Sequence, residues 1–466
     1  MLFWLTFSKQ KSKLAYMNKR EFLKQAALLS STVAFLPSVV WAANKKKDMI
    51  RTAHIGVGGM GMEDLKAISS HQSVKVTALC DVDTRSLKKA QEMFPDAKIY
   101  ADYRVLLKEM SDDIDAVVVS TPDHTHAPAS MMAMDMDKHV YCQKPLTHHV
   151  MEARAMRKKA ADKQLITQMG IQVHSFYDYK LATLLIQSGI IGKIKTVHAW
   201  SPKNWGYDGP APSSEDTVPD YLDWNLWLGT AAERSYKEEV YHPGNWRKLV
   251  DYGCGTLGDM GVHIFDTPYN ALALDVPKTI KNKCRKPNGF GFPENNIVTY
   301  TFPPTQYTTE KFKWIWYDGQ GAPKKHKHLK LPNGDQLPDQ GAMFIGEDGR
   351  RLLLPHFMQL PRLIVDGEYQ DLTPEIEKIA QTTDLGGPTS DYGTESNKHY
   401  HQFIDACLGK AECTAPFSYA ARLTETILLG VIAGRFPNKT LHWNSDKELF
   451  DEAAANQFLD ATYRKF

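Results

Sequence analysis

From Met49 to about residue 170, short β-branched or apolar runs alternate with stretches whose apolar residues recur every three to four positions. The runs at 51–56, 74–80, 116–120 and 139–142 predict strands. The amphipathic stretches at 60–69, 84–93, 103–110 and 150–162 predict the helices that join them. Continuous apolar strands linked by helices specify a doubly wound parallel sheet covered on both faces. After Gly170 the text turns to Trp, Tyr, Gly and Pro, with alternating pieces at 195–200, 297–301, 311–317 and 351–354. Pro303-Pro304, Pro332-Asn333-Gly334 and Glu347-Asp348-Gly349 punctuate them as turns, which predicts an α+β domain with a mainly antiparallel sheet. Helices are expected at 396–408 and 419–435, and residues 201–223 read as a long loop.

The first predicted strand runs into Gly56-Val57-Gly58-Gly59-Met60-Gly61. Glycines in this spacing between a strand and a helix allow a tight turn, a close approach to a pyrophosphate and a helix N-terminus aimed at the anion. Twenty residues beyond Gly61 stands Asp81, at the end of the second strand. A carboxylate there accepts ribose hydroxyls and repels a 2′-phosphate, so NAD is favoured over NADP, with Arg85 nearby pulling the other way. A solvated turn aspartate is the competing reading. After the next long strand come Ser120-Thr121-Pro122-Asp123-His124-Thr125-His126, where Thr121, Pro122 and His126 are placed to line the cofactor pocket. Thr121 or Asp123 also suits a helix cap, and the two readings are compatible.

Gln143-Lys144-Pro145 closes another predicted strand, so Lys144 is expected to enter the same crevice and Gln143 to border it. A lysine after a strand more often faces solvent. The second cluster is Asp251-Tyr-Gly-Cys-Gly-Thr-Leu-Gly-Asp-Met-Gly-Val-His263. If the chain is helical from about Leu257, Asp259 and His263 fall one turn apart on one face, an acid beside an imidazole. A helix cap and a packed core histidine are the alternatives. The pair also resembles half of a metal site, but no convincing third ligand accompanies it, and no metal is expected there.

Taken in this order, the glycine motif, Thr121-Pro122, Lys144-Pro145 and Gly258-Asp259-x-x-x-His263 resemble the family of glucose-fructose oxidoreductase, inositol 2-dehydrogenase and rhizopine catabolism proteins (Gfo/Idh/MocA). The resemblance implies an NAD-binding Rossmann domain over 49–170 and a substrate domain with an open-faced sheet over 171–466, with a sugar or polyol held between them. It further implies that Lys144 polarises the reacting hydroxyl, Asp259 orients the substrate and His263 is the general base. The family's usual Glu-Lys-Pro reads Gln143-Lys144-Pro145 here, which removes a carboxylate beside the lysine. Aromatic side chains crowd 205–246 and suit either sugar stacking or a sheet core. Among them Tyr241, His242 and Arg247 are expected in the cleft, together with Gln172 and His174.

Composition narrows the ligand. The chain has 466 residues, 42% hydrophobic and 11% aromatic, and 56 basic against 54 acidic residues leave a formal charge of +2. No global field would draw in nucleic acid, so a small ligand is expected. Cys80, Cys142, Cys254, Cys284, Cys407 and Cys413 lack paired spacing and read as free thiols. The N-terminal text changes the picture more. From Met17 a basic start, an apolar run over 26–41 and small residues lay out a secretory signal cleaved after about Ala42, with 1–16 preceding the true start; a membrane anchor is the alternative. Asn18-Lys19-Arg20-Glu21-Phe22-Leu23-Lys24 resembles a twin-arginine export motif, with Lys19 where the first arginine is expected.

An exported, periplasmic enzyme would find little free NAD, which favours a retained cofactor. Three functions stay open: hydride transfer on a sugar, polyol or glycoside; oxidation, elimination and re-reduction as in NAD-dependent glycosidases; and non-catalytic sugar binding. An open sheet face also leads to the expectation of a homo-oligomer.

Overall fold

The structure, a computed structural model of the chain, describes residues 48–323 and 326–466. The expected signal segment, 1–42, lies outside the described residues. Six parallel strands, β1 (Ile50–Ile55), β2 (Val74–Cys80), β3 (Lys98–Tyr100), β4 (Ala116–Val119), β5 (His139–Gln143) and β6 (Thr167–Gly170), form the first sheet. Their spatial order is β3-β2-β1-β4-β5-β6, so the chain reverses direction across the sheet between β1 and β4. Ligands bind such sheets at that switch point, beyond the carboxyl ends of the strands.

Alternating side chains decide the two faces. Ala53, Ile55, Val117 and Val119 enter the main core. Ile50, Ala116, Val118 and Tyr141 point the other way and are closed over by Tyr400, Phe403 and Ile404 of helix Tyr392–Cys407. A segment distant in sequence therefore covers the first sheet. Strands β3 and β6 were not legible in the text. β3 has only three residues, and β6 reads Thr-Gln-Met-Gly, polar letters that are buried because Gln168 donates to the carbonyl of His399 (2.8 Å) and Thr167 Oγ1 accepts from the amide of Phe417 (3.0 Å).

The second sheet has ten strands: β7 (Ile194–Trp200), β8 (Thr279–Lys283), β9 (Ile297–Thr301), β10 (Thr308–Tyr317), β11 (Gly341–Gly346), β12 (Arg351–Pro355), β13 (Arg362–Val365), β14 (Glu368–Gln370), β15 (Thr440–Asn444) and β16 (Leu449–Phe450). The order is β14-β13-β12-β11-β7-β10-β9-β8-β15-β16. Every pairing is antiparallel except β7 with β10. One face packs on helices Tyr177–Gln187, Val262–Ala271 and Phe417–Ala433. There Phe265 stacks on Trp314 with ring centroids 4.0 Å apart, a contact worth about 1 kcal/mol beyond the area it buries. The opposite face carries Trp200, Tyr317, Met343 and Leu353, partly roofed by Leu329 and Leu331.

Candidate active site

A cavity of about 730 Å³ opens at the switch point and is walled by the strand ends of the first sheet and by loops and helix starts that follow it in the chain. That size is ordinary for a cofactor or small-molecule site. On the first-sheet side β1 ends in Gly56, whose φ of +82° is costly for any other residue and whose missing Cβ would stand 2.7 Å from the Ser120 carbonyl oxygen. A Cβ on Gly61 would meet the Gly56 carbonyl oxygen at 2.1 Å, so helix Met60–Ser69 starts tight against the strand end. No side chain caps that helix, and Gly58, Gly59 and Met60 line the cavity, leaving the N-terminus facing it.

Asp81 accepts from the Val57 amide (2.8 Å) and the Asp83 amide (2.9 Å), one on each oxygen, which leaves acceptor capacity on both. Arg85 does not compete for a 2′-phosphate. Its guanidinium forks onto Asp83 (3.0 and 2.7 Å) and lies 3.5 Å above the Tyr221 ring. Burial works against the Asp83 carboxylate, but Arg85 and His242 outweigh it and hold the group at about 2. Thr121 Oγ1 is buried with no hydrogen-bond partner among the described residues and lines the same cavity with Pro122. An orphaned hydroxyl, an uncapped helix start and a carboxylate with free lone pairs suit a dinucleotide.

Lys144 sits where β5 gives way to its turn, and the Lys144–Pro145 bond is cis. Its Nζ donates to Asp259 Oδ1 at 2.7 Å and to the Asp259 carbonyl at 3.0 Å. Asp259 also accepts from Trp205 Nε1 on Oδ2 (2.6 Å) and from Arg247 Nε on Oδ1 (3.3 Å). Burial pushes this carboxyl up, yet Lys144 and Arg247 win and hold it well below the usual carboxylate range. It is an anion. His263 lines the cavity, and its Nδ1 is buried without a partner among the described residues. Burial first, then the Lys144 ammonium, holds its imidazolium far below the ordinary range, so the ring is neutral. The local chain is not the plain α-helix expected from Leu257. Leu257–Gly261 forms a wider π-helical turn that leads into helix Val262–Ala271 and presents Asp259 and His263 to one cavity.

Gln143 is tied to an acid buried behind the cavity wall. Its Nε2 donates to both oxygens of Asp64 (2.9 Å each), and Asp64 also accepts from Ser120 Oγ (2.6 Å) and the Tyr400 hydroxyl (2.8 Å). Burial raises Asp64 to about 6 despite these donors. Gln172 joins the network through Nε2 to the Tyr400 hydroxyl (2.7 Å), at the cavity wall.

Four expected site residues behave differently. His174 does not reach the cavity: its Nδ1 pairs with Asp266 at 2.9 Å, behind helix Val262–Ala271. Tyr241 is buried in an aromatic cluster with Trp224, Trp227 and Tyr252, on the core side of the loop. His242 reaches the cavity but at Asp83 (2.8 Å), the dinucleotide end rather than the sugar end. His126 borders the cavity with its two ring nitrogens facing the backbone carbonyls of Pro145 (2.8 Å) and Thr121 (2.9 Å); burial lowers it to about 4, so the neutral ring donates to one of them at a time.

Sequence reading also missed wall residues. Lys203, Gln340, His356 and Phe357 carry no local motif and are brought in by tertiary packing. The sequence suggests a helix cap at Asp123. It is instead a buried acid on the cavity, raised to about 7 by burial despite Arg247 and Lys144, while Pro122 opens the helix with no side-chain cap.

Comparison with known proteins matches residues 50–171 to a model of an oxidoreductase family with an NAD-binding Rossmann fold, and residues 179–335 to that family's C-terminal alpha/beta domain. A glycosyl hydrolase family 109 protein from Shewanella pealeana is 28% identical over 202 residues, 38% of this chain and 44% of its own. A levoglucosan dehydrogenase from Pseudarthrobacter phenanthrenivorans is 25% identical over 166 residues, 36% of this chain and 34% of its own. The chain thus spans less than half the length of these curated relatives. The myo-inositol dehydrogenase of Lactobacillus casei, solved with NAD(H) and myo-inositol, superposes with a TM-score of 0.53 at 18% identity, covering 85% of this chain and 97% of that one.

Proposed function

The chain belongs to the Gfo/Idh/MocA oxidoreductase family, its first domain being that family's NAD-binding Rossmann fold, and from that membership we propose that it oxidises a hydroxyl of a sugar, polyol or glycoside by hydride transfer. The observation that carries the reading is the Lys144–Asp259 ion pair at 2.7 Å on a cavity shared with His263 and the glycine turn. NAD, when bound, supplies the hydride acceptor. Two of the three Lys144 N–H groups are fixed by Asp259, which leaves one for the substrate hydroxyl oxygen. The ammonium stabilises the negative charge that develops on that oxygen as its proton leaves, before the hydride is lost and the carbonyl forms. His263, neutral and lining the cavity, takes the hydroxyl proton. Lys144 then disfavours the imidazolium and drives the proton onward to solvent. Asp259 holds the lysine in place, and Trp205 and Arg247 hold Asp259.

A second reading is favoured by Asp123. At about 7 its carboxyl is partly protonated near neutrality, and a simple dehydrogenation has no use for a second acid. Oxidation, elimination of an aglycone and return of the hydride does need a proton for the leaving oxygen. The signal-like text over 17–42 extends the proposal to an exported enzyme that keeps its cofactor. Arg85 being committed to Asp83 supports NAD over NADP.

One experiment covers these readings. The purified protein is denatured and its extract assayed for nicotinamide; the native protein is then screened with sugars and aryl glycosides. Reduced nicotinamide without aglycone supports the dehydrogenase, and aglycone release without net reduction supports the elimination scheme. Neither signal, with no nicotinamide bound or bindable, would sink both.

A further inference from the structure

Away from the cavity, the face of the large sheet opposite the helix layer holds three histidines from two segments. His198 projects from β7 on the same face as Trp200, between its cross-strand partners Ile315 and Met343. His326 and His328 come from the segment that roofs this face. One ligating nitrogen from each of His198, His326 and His328 lies within 4.8 Å of the others. The ring centroids of His198 and His326 are 4.4 Å apart and those of His326 and His328 are 5.4 Å apart. None of the three lines the active-site cavity.

We propose that His198, His326 and His328 bind one divalent transition-metal ion of the zinc class, which clips the roofing segment to the sheet. Two observations support it besides the grouping. His198 is almost completely buried, and its Nδ1 meets the Tyr317 hydroxyl at 3.1 Å, the orienting contact that metal-bound histidines usually have, so Nε2 is the nitrogen left to bind. His326 Nδ1 is buried with no hydrogen-bond partner among the described residues. Ligands at about 2.0–2.1 Å from a tetrahedral zinc stand roughly 3.3 Å apart, so a shift of about 1.5 Å by the two roof residues closes the site. The segment is already held for this: Arg351 donates to the carbonyls of His328 (3.1 Å) and Lys330 (2.7 Å).

Lys195, Lys327 and Arg351 oppose added positive charge near His328. An anion in the fourth metal position offsets their field. Imidazole donors suit zinc, copper and nickel over calcium or magnesium.

The test uses the full chain without a polyhistidine tag, stripped with chelator and titrated with Co²⁺, then displaced with Zn²⁺. The expected result is one ion per chain with the visible absorption of tetrahedral cobalt, and a higher melting temperature with Zn²⁺. His326→Ala and His328→Ala, both at half-buried roof positions, weaken binding by at least about 100-fold, whereas His442→Ala, on the surface, leaves it unchanged. His328→Gln serves if an alanine variant is poorly folded. Absence of the cobalt band at micromolar metal, or equal binding by wild type and both roof variants, overturns the site.

Discussion

On the first-sheet wall of the cavity, Gly56, Asp81, Thr121 and Lys144 each stand at or just beyond the carboxyl end of a buried parallel strand. The opposite wall is assembled from Lys203, Trp205, Arg247, Asp259, His263, Gln340 and His356, drawn from several separate segments, with Asp259 and His263 together on the π-helical turn and the helix it leads into. The first wall is therefore set by backbone geometry, and its glycine turn leaves no room for a Cβ at Gly56 or Gly61. The second is set by charge and hydrogen bonding, with Asp259 collecting Lys144, Arg247 and Trp205. The difference teaches that cofactor binding and chemistry rest on separable parts of the molecule, joined at one ion pair.

The largest separation is expected at His263. His263→Ala loses about 1,000-fold in kcat while the nicotinamide content of the purified protein stays the same, because the imidazole touches the reacting proton and not the glycine turn. Parallel loss of cofactor would erase the distinction between the walls.

Asp123 sharpens the boundary between them through pH. Its carboxyl titrates at about 7 in the fold against 3.8 when exposed, so protonation favours folding. Its contribution is fully present below about pH 4 and is lost as the pH rises through 7. Asp123→Asn cannot ionise, and its stability gain over wild type should grow across that window to on the order of 3 kcal/mol at pH 8. Denaturant unfolding at pH 5 and pH 8 measures it; a constant difference contradicts the assignment.

Gly61→Ala attacks the other wall. The new Cβ, 2.1 Å from the Gly56 oxygen, must push the helix off the strand end, costing about 2 kcal/mol in NAD binding, roughly a 30-fold rise in Kd by calorimetry. An unchanged Kd would show that the turn does not hold the cofactor. The smallest effect belongs to Tyr241→Phe, whose ring packs among Trp224, Trp227 and Tyr252. Its KM for sugar should move by less than about twofold, and a larger change would return Tyr241 to the cavity.

The same contrast explains what the sequence disclosed. Helices Met60–Ser69, Thr84–Met93, Tyr103–Met110 and Val150–Asp162 lie where periodicity puts them, because each buries one apolar stripe on a neighbouring sheet. The glycine turn and Lys144 were legible because strand ends converge at a switch point by topology alone. His174 and Tyr241 misled because a histidine or tyrosine near a motif looks the same whether it faces the cavity or, as here, Asp266 or an aromatic cluster. Asp64 was invisible for a related reason. As a charged letter on an amphipathic helix it reads as solvated, and only the fold brings Gln143, Ser120 and Tyr400 around it. Helix Tyr392–Cys407 was seen as a helix, but nothing local says that it closes over the first sheet.

The central claim is that the Lys144 ammonium holds the reacting hydroxyl on a cavity whose cofactor it does not itself retain. The direct measurement is the rate of nicotinamide reduction in a single turnover, after rapid mixing of an oxidisable sugar with wild type and with Lys144→Ala, each carrying equal bound NAD. The account predicts a fall of about 1,000-fold in the reduction rate constant with the cofactor content unchanged. A rate constant within about threefold of wild type would contradict it.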